Sequence, residues 1–481
     1  MNYKLIVNIL GRVLLIEAIL MLAPLAVSLI NAEGTYLGYV LPMAGLLAVG
    51  LPLSLIKLKD KSIYAKEGFV IVALSWILMS LVGCLPFVIN GEIPYFFDAF
   101  FEMVSGFTTT GATVLGNVEA VSKSANFWRI YSHFIGGMGV LVFVLAVIPA
   151  SNTGAMHIFR AESPGPTATK FVSKLRFTAR ILYLIYIGLT VILMLMLLVG
   201  GMSFYDALLH AFSTAGTGGF STKNASIMSF NSVYIEVVIA VFMFIFGINF
   251  NVFYLILIGK FTKAFSSEEL RTYFIIVLVA IIAISINLLS VYGNFFTALR
   301  YSSFQVTSIL STTGFTTADF NLWPEFSKLI LIALMILGAC GGSTGGGIKV
   351  SRLIILSKSS TTDIKKLMNP RAVLATRFEK EPLGQDTISS VRTYILLWLA
   401  IVGIATLLLS LDPFGDILSD FTGTLACIGN VGPGLNAVGP ASNFAGYTGV
   451  SKALLSLVMI AGRLEIFPIL ILFNYKTWKK A

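Results

Sequence analysis

The chain has 481 residues, of which 57% are apolar and 12% are charged, and its net charge is +10. Soluble domains carry about 25% charged residues. Here, runs of roughly 20 apolar residues, the length that crosses a bilayer, recur along the whole sequence. The three cysteines, Cys84, Cys340 and Cys427, are far apart in apolar surroundings, which excludes a secreted disulfide-stapled domain. The sequence therefore predicts an all-α polytopic membrane protein.

Apolar runs predict ten transmembrane helices. The first run contains Arg12 and Glu17, is too long for a signal-peptide core and has no convincing cleavage site after it, so we expect it to be retained. The predicted spans are residues 4–30, 37–56, 69–89, 126–149, 179–200, 233–259, 272–292, 326–357, 392–411 and 448–474.

The positive charge is distributed unevenly over the loops between these spans. If both termini are cytoplasmic, 25 of the 33 Lys and Arg residues fall at the termini or in the four inner loops, and only six fall in outer loops. Such an asymmetry is the positive-inside rule, so it predicts cytoplasmic termini and explains the net charge without a nucleic-acid partner. A protein docking surface on the basic inner loops is the alternative explanation.

Four outer connections share one pattern. In each, a half-length apolar helix of about 10–12 residues precedes a Gly/Thr-rich stretch, and one full span lies on either side. The segments are 96–114, 204–222, 299–317 and 417–435, and alignment places Gly111, Gly219, Gly314 and Gly432 in register. In the second segment Gly216 and Gly218 leave a one-residue ambiguity. The chain is therefore predicted to be a divergent fourfold repeat.

This repeat divides the sequence into five parts. An N-terminal helical hairpin, 1–60, precedes pore repeats at 61–160, 161–265, 266–370 and 371–481.

A stretch of 10–14 apolar residues is too short to cross a bilayer, so each short helix is predicted to re-enter on its own side. Non-helical backbone at membrane depth is tolerated only against protein or a water-filled cavity. Four such loops around one axis could direct carbonyl oxygens at a dehydrated cation, and the negative C-terminal ends of the short helices would face the same cavity. The alternative is that the four stretches are ordinary extracellular turns.

The pattern resembles the Trk/Ktr/HKT superfamily of potassium transporters, and within it the TrkH type. The resemblance rests on four candidate filter loops: TTTGAT at 108–113 (loop 1), GTGGFST at 216–222 (loop 2), STTGFTT at 311–317 (loop 3) and GNVGPGL at 429–435 (loop 4). RAESPGP at 160–166 and GGSTGGGIK at 341–349 are also similar to the family, and the extra N-terminal hairpin fits the Trk branch.

The resemblance implies four pseudo-symmetric units around one pore, a homodimer, and a cytoplasmic regulatory ring of the TrkA type that itself binds NAD(H) or ATP. K+ would be the transported ion, with no organic cofactor on this chain. In the superfamily, glycine at position 111 accompanies potassium selectivity and serine accompanies sodium permeation. The residues expected to form the filter are Thr109, Thr110, Gly111, Thr217, Gly218, Gly219, Thr312, Thr313, Gly314, Asn430, Val431 and Gly432.

The eighth predicted span is interrupted by GACGGSTGGGIKV at 338–350. So many glycines oppose a continuous helix, which predicts a flexible intramembrane gate; a packing kink is the alternative. A phosphate-binding loop is rejected because the string lacks the GK[ST] ending and a preceding strand. The gate residues are Gly341, Gly342, Ser343, Thr344, Gly345, Gly346 and Gly347.

Arg463 lies within the last predicted span. A charge at membrane depth usually faces a cavity or a partner, so Arg463 is expected either to face the pore below the filter or to pair with Glu465 or Glu17. His133, His157 and His210 show no metal-site spacing and are expected to be interfacial or packing residues.

Three functions agree with the sequence to different degrees. The leading one is potassium uptake through a channel-like pore in the bacterial inner membrane. A symporter for a small organic or anionic solute would favour inverted repeats, whereas these four repeats share one orientation. The third is an ion-translocating subunit of a Kdp-like pump. Enzymatic activity is not expected, because no catalytic constellation lies on a soluble domain.

Overall fold

The computed structural model describes residues 1–58, 64–137, 139, 175–372 and 374–478. The motif at 160–166, His157 and the second half of the predicted span 126–149 lie outside these residues. Within them the chain is mostly helical, and six helices are long and apolar enough to cross a membrane, or seven if one bent pair is counted as a single span. The fold is therefore that of a polytopic helical membrane protein.

The helices are numbered in chain order over the described residues. They are α1 Tyr3–Leu20, α2 Leu22–Ile30, α3 Leu37–Ser54, α4 Ala65–Gly83, α5 Leu85–Ile89, α6 Phe96–Phe107, α7 Lys123–Gly137, α8 Leu175–Val199, α9 Phe204–Gly216, α10 Val233–Phe246, α11 Phe250–Leu257, α12 Phe261–Phe265, α13 Glu268–Asn287, α14 Leu289–Tyr292, α15 Phe295–Leu310, α16 Glu325–Leu337, α17 Val350–Met368, α18 Gln385–Leu409, α19 Ile417–Gly429, α20 Gly449–Arg463, α21 Phe467–Phe473 and α22 Tyr475–Trp478.

The four half-length helices of the repeat are α6, α9, α15 and α19, with 12, 13, 16 and 13 residues. At 1.5 Å per residue they are about 18 to 24 Å long, shorter than the hydrocarbon core of about 30 Å. Three of them begin at a side-chain N-cap: Ser203, Asn294 and Asp416 each accept a hydrogen bond from a backbone N–H of the first turn. These caps supply partners for N–H groups that a helix leaves unpaired.

The short helices pack in a cycle. Each contacts the helix that follows it in its own repeat and also the corresponding helix of the preceding repeat. Thus α6 packs on α7 and α20, α9 on α10 and α7, α15 on α16 and α10, and α19 on α20 and α16. Because the fourth repeat closes onto the first, the four units surround one axis.

Three predicted spans are broken in the structure. The span 233–259 forms α10 and α11, which meet at an angle of 91°. The span 326–357 forms α16 and α17, separated by a non-helical segment, and the span 448–474 forms α20 and α21, which meet where Glu465 and Ile466 adopt positive φ angles of 57° and 69°. The glycines at 338–350 predict the break in the second of these spans. The other two breaks were not predicted, because hydropathy does not record where the chain turns.

Outside the repeats, α1 and α3 pack on each other as an N-terminal hairpin, and α1 also packs on α4 while α3 packs on α5. One small departure from an all-α fold is a two-stranded antiparallel sheet. Its strands β1, Arg377–Phe378, and β2, Glu381–Pro382, pair Arg377 with Pro382 and Phe378 with Glu381. It lies in the connection between α17 and α18.

Candidate functional site

Each short helix of the repeat ends in the same backbone turn. One or two residues after its end, the chain adopts the left-handed conformation, with φ of 55°, 53°, 60° and 53° at Thr109, Thr217, Thr312 and Asn430. The N–H of the next residue then bonds to a carbonyl five residues back, at 2.8–2.9 Å in all four loops. This is a Schellman-type C-cap, in which glycine is usual. Left-handed threonine is strained, and strain of this kind concentrates at functional sites.

The aligned glycines follow two residues later, and all have positive φ: 82° at Gly111, 82° at Gly219, 84° at Gly314 and 101° at Gly432. Because the pattern of two left-handed positions is the same in every loop, it identifies Gly219 as the equivalent of Gly111. The one-residue ambiguity of the second loop is thereby resolved.

The four loops contact one another in a closed ring through these glycines. At each one, a carbonyl oxygen of the neighbouring loop occupies the place where a side chain would begin. A Cβ added to Gly111 would lie 2.1 Å from Gly218 O, one on Gly219 2.0 Å from Thr313 O, one on Gly314 2.0 Å from Val431 O, and one on Gly432 2.8 Å from Thr110 O. All twelve predicted filter residues therefore lie in one ring, and eight of them make its closest contacts.

Loops 1 and 2 are contacted by polar side chains that do not belong to the predicted filter. Glu102 on α6 pairs with Arg129 on α7. The ring of Phe220, which follows Gly219, stacks on His133 with ring centres 4.2 Å apart. His210 Nε2 lies 2.9 Å from Ser221 Oγ. Both histidines therefore pack on loop 2. The signal available in the sequence was that ionisable residues lie inside apolar segments.

The predicted gate segment, 341–347, lies against loops 3 and 4. Gly346 donates its N–H to Thr312 Oγ1 at 2.7 Å. A Cβ on Gly345 would lie 2.7 Å from Ser311 O, and one on Gly346 would lie 2.2 Å from Gly429 O. The glycines thus permit the segment to pack directly on the backbone of the ring.

One carboxylate on α13 binds both the first residue of this segment and the start of α17, which follows the segment. Glu269 Oε1 accepts the N–H of Gly341 at 2.6 Å and that of Ser351 at 3.1 Å. Between them, Lys349 donates from Nζ to Gly345 O. The ends of the segment are therefore anchored to helices, while its centre meets the ring mainly through backbone atoms.

Arg463, at the end of α20, contacts the centre of the gate segment. Its Nη1 donates to Thr344 O at 2.7 Å, and its Nη2 donates to Gly136 O and, at 3.1 Å, to Gly137 O. Glu465, a partner considered from the sequence, pairs with Arg352 on α17 instead. The guanidinium consequently links the gate segment to the end of α7, which packs beside loop 1.

Among the described residues, no group of three or more His, Cys, Asp or Glu side chains could hold a metal ion. The ring itself offers backbone carbonyls, hydroxyls and one amide, all uncharged. Donors of this kind suit a monovalent cation that exchanges readily, since divalent ions are usually held by carboxylates.

The sequence matches the family described as "TrkH: Cation transport protein" over residues 43–480. The chain belongs to this family. It is 35% identical to the Trk system potassium uptake protein TrkH of Salmonella typhimurium, with 100% of both chains covered. It is also 35% identical to the Trk system potassium uptake protein TrkG of Escherichia coli, with 86% of each covered.

The TrkH fold is shared as well. A crystal structure of the potassium transporter TrkH from Vibrio parahaemolyticus superposes with a TM-score of 0.90 at 32% identity, covering 100% of both chains. The relatives are named as transport proteins and not as enzymes, which confirms the prediction that this TrkH family member is not an enzyme.

Proposed function

We propose that this protein takes up potassium across the bacterial inner membrane through one pore, with loops 1 to 4 as its selectivity filter. The observation that carries the proposal is the closed ring in which the carbonyls of Thr110, Gly218, Thr313 and Val431 each abut a glycine of the next loop. Carbonyl oxygens arranged around an axis can replace the hydration shell of K+. The relatives named for potassium uptake support the choice of ion.

The orientation of the short helices favours a cation over an anion. All four loops follow the C-terminal ends of α6, α9, α15 and α19, and a helix C-terminus carries the negative end of its dipole. A symporter for an anionic solute would place helix N-termini at its site. A Kdp-like pump subunit agrees with the same ring, and the Trk relatives weigh against it.

In this proposal the termini are cytoplasmic, as the loop charges predict, and the segment 341–347 with Arg463 forms the gate on the inner side of the filter. The support is the contact of Gly346 with loops 3 and 4.

We further propose a homodimer regulated by a cytoplasmic TrkA-type nucleotide-binding ring. That part rests on the family resemblance, and co-purification with such a partner would test it.

The decisive experiment measures gradient-driven flux of K+, Rb+, Na+ and Li+ in liposomes for the parent and for Gly111→Ser. A serine at 111 requires φ near 82° and overlaps Gly218 O, so loops 1 and 2 must move apart. We expect the K+/Na+ permeability ratio to fall by about tenfold, equivalent to about 1.4 kcal/mol. Because of the overlap, folding is also expected to weaken.

Gly116→Ser is the matched control, since Gly116 follows the same loop and a Cβ there would meet only Asn443, at 3.9 Å. It should keep the parental ratio. Equal K+ and Na+ flux in the parent would reject the proposed function, and an unchanged ratio in folded Gly111→Ser would reject loop 1 as part of the filter.

A further inference from the structure

An ion pair between Glu102 on α6 and Arg129 on α7 is buried behind the ring, with the two residues 0% and 2% exposed. Removing two charges from water carries a penalty of several kcal/mol per ion, which an ion pair offsets only with good geometry and further hydrogen bonds. Ionisable groups at such depth are usually functional. Packing alone therefore does not explain why two charged residues are buried at this place.

Each loop has one arm that precedes its aligned glycine and one arm that follows it. Glu102 binds the arm of loop 1 that follows Gly111. Its two carboxylate oxygens accept from Thr113 Oγ1 at 2.9 and 3.1 Å, and Oε2 also accepts the N–H of Val114 at 2.8 Å. These residues come two and three positions after Gly111. The carboxylate consequently ties both arms of loop 1 together, because it projects from the helix that enters the loop.

Arg129 binds the equivalent arm of loop 2. Its Cζ lies 3.5 Å from the centre of the Phe220 ring, and its Nη1 donates to Ser221 O at 3.4 Å. Phe220 and Ser221 directly follow Gly219. One ion pair thus contacts the two loops whose glycines, 111 and 219, meet in the ring.

The other repeats lack this charge at the equivalent position, nine residues before the aligned glycine. His210 in the second repeat is uncharged in its contacts: it hydrogen-bonds to Asp206 O on its own helix and to Ser221 Oγ, and its ring centre lies 5.8 Å from that of Phe315 in loop 3. Gln305 in the third is fully buried, and its amide has no hydrogen-bond partner among the described residues. The fourth has Gly423. The charged link is therefore specific to loops 1 and 2.

We propose that the Glu102–Arg129 pair is a positioning element that fixes the separation of loops 1 and 2 and thereby sets the discrimination between K+ and Na+. This inference rests on the proposed function. Without the pair, the two arms are free to relax, and the carbonyls of Thr110 and Gly218 can approach the smaller Na+.

The test compares ion selectivity with folding in Glu102→Gln and in the double variant Glu102→Gln/Arg129→Met. Glu102→Gln strands the arginine charge, so folded yield should fall. The double variant removes that charge and should recover yield. In both, the K+/Na+ permeability ratio per folded molecule should fall by about tenfold, because neither contains the ion pair.

Glu236→Gln is the matched control. Glu236 forms a bidentate pair with Arg300, both contacts at 2.6 Å, between α10 and the start of α15 and away from the loops. Its loss should leave the ratio unchanged. A parental ratio in folded Glu102→Gln or in the double variant would overturn the inference, as would an equal loss of selectivity in Glu236→Gln. If Gly111→Ser loses selectivity in the same assay, the proposed function stands even when the inference fails.

Discussion

The two halves of the ring are supported in different ways. Loops 1 and 2 are contacted by the Glu102–Arg129 pair, and loop 2 is also contacted by His133 and His210. Loops 3 and 4 are contacted by the backbone of the glycine-rich segment, through one hydrogen bond to Thr312 and close packing on Gly429. Loops 1 and 2 therefore have charged, desolvated support. The glycine-rich segment meets loops 3 and 4 through neutral contacts, although Arg463, Lys349 and Glu269 hold the segment itself.

The difference matters because a neutral hydrogen bond contributes only about 1 kcal/mol net, whereas breaking a buried ion pair costs about 3–5 kcal/mol. In the proposed gating the segment separates from loops 3 and 4, and contacts of the first kind permit that separation. Two loops that must keep a fixed separation need contacts of the second kind. We therefore expect selectivity to depend on the half with the ion pair and gating to depend on the other.

The largest effect is expected at Arg463, which links the two halves through Thr344, Gly136 and Gly137. A unit charge 4 Å from a cation is worth about 4 kcal/mol at an effective dielectric of 20, more than the drive of about 2.3 kcal/mol per 100 mV of membrane potential. Arg463→Ala should therefore raise K+ flux per folded molecule by more than about tenfold, measured in liposomes.

Arg463→Lys tests the charge separately from the hydrogen bonds. Lysine keeps the charge but lacks the planar guanidinium that donates to all three carbonyls. It should conduct between the parent and the alanine variant. Reduced folded yield with parental unit flux in Arg463→Ala would show a structural role and contradict the gate assignment.

A smaller effect is expected from Gly346→Ala, which alters only the contact with loops 3 and 4. The new Cβ would lie 2.2 Å from Gly429 O, so the segment must withdraw. K+ flux should rise by roughly three- to tenfold, equivalent to about 1 kcal/mol, with the K+/Na+ ratio preserved. Gly384→Ala, where a Cβ meets nothing within 4 Å, is the control. Parental flux in a well-folded Gly346→Ala protein would identify the segment as a fixed turn.

The smallest effect is expected from Gln305→Leu, at the repeat 3 position equivalent to Glu102. Its amide is buried without a partner among the described residues. An apolar group of similar size should therefore leave the thermal unfolding temperature in detergent unchanged or raise it slightly, with a gain in stability below about 1 kcal/mol. Glu102→Leu should lower it. If Gln305→Leu destabilises the protein as much as Glu102→Leu does, the Gln305 amide is hydrogen-bonded to a bound water, and the surroundings of loop 3 are also polar.

Much of the fold was predictable from the sequence, because hydropathy, loop charge and the repeated Gly/Thr pattern are local properties. They predicted the membrane class, the four short helices and the glycine register. The same signals missed the 91° bend between α10 and α11 and the break before Phe467, since a turn inside apolar sequence leaves the hydropathy unchanged.

At the site, the sequence by itself determined which residues form the four loops and where the eighth predicted span is interrupted, because glycine is the residue that tolerates positive φ and close backbone approach. Only the tertiary structure decided which loop meets which, that Glu102 reaches Arg129, and that Glu465 pairs with Arg352 and not with Arg463. Those partners are 27 and 113 residues apart in the chain. Contacts over such separations depend on how the helices pack around the axis, and helix packing is set by complementary surfaces that no local pattern records.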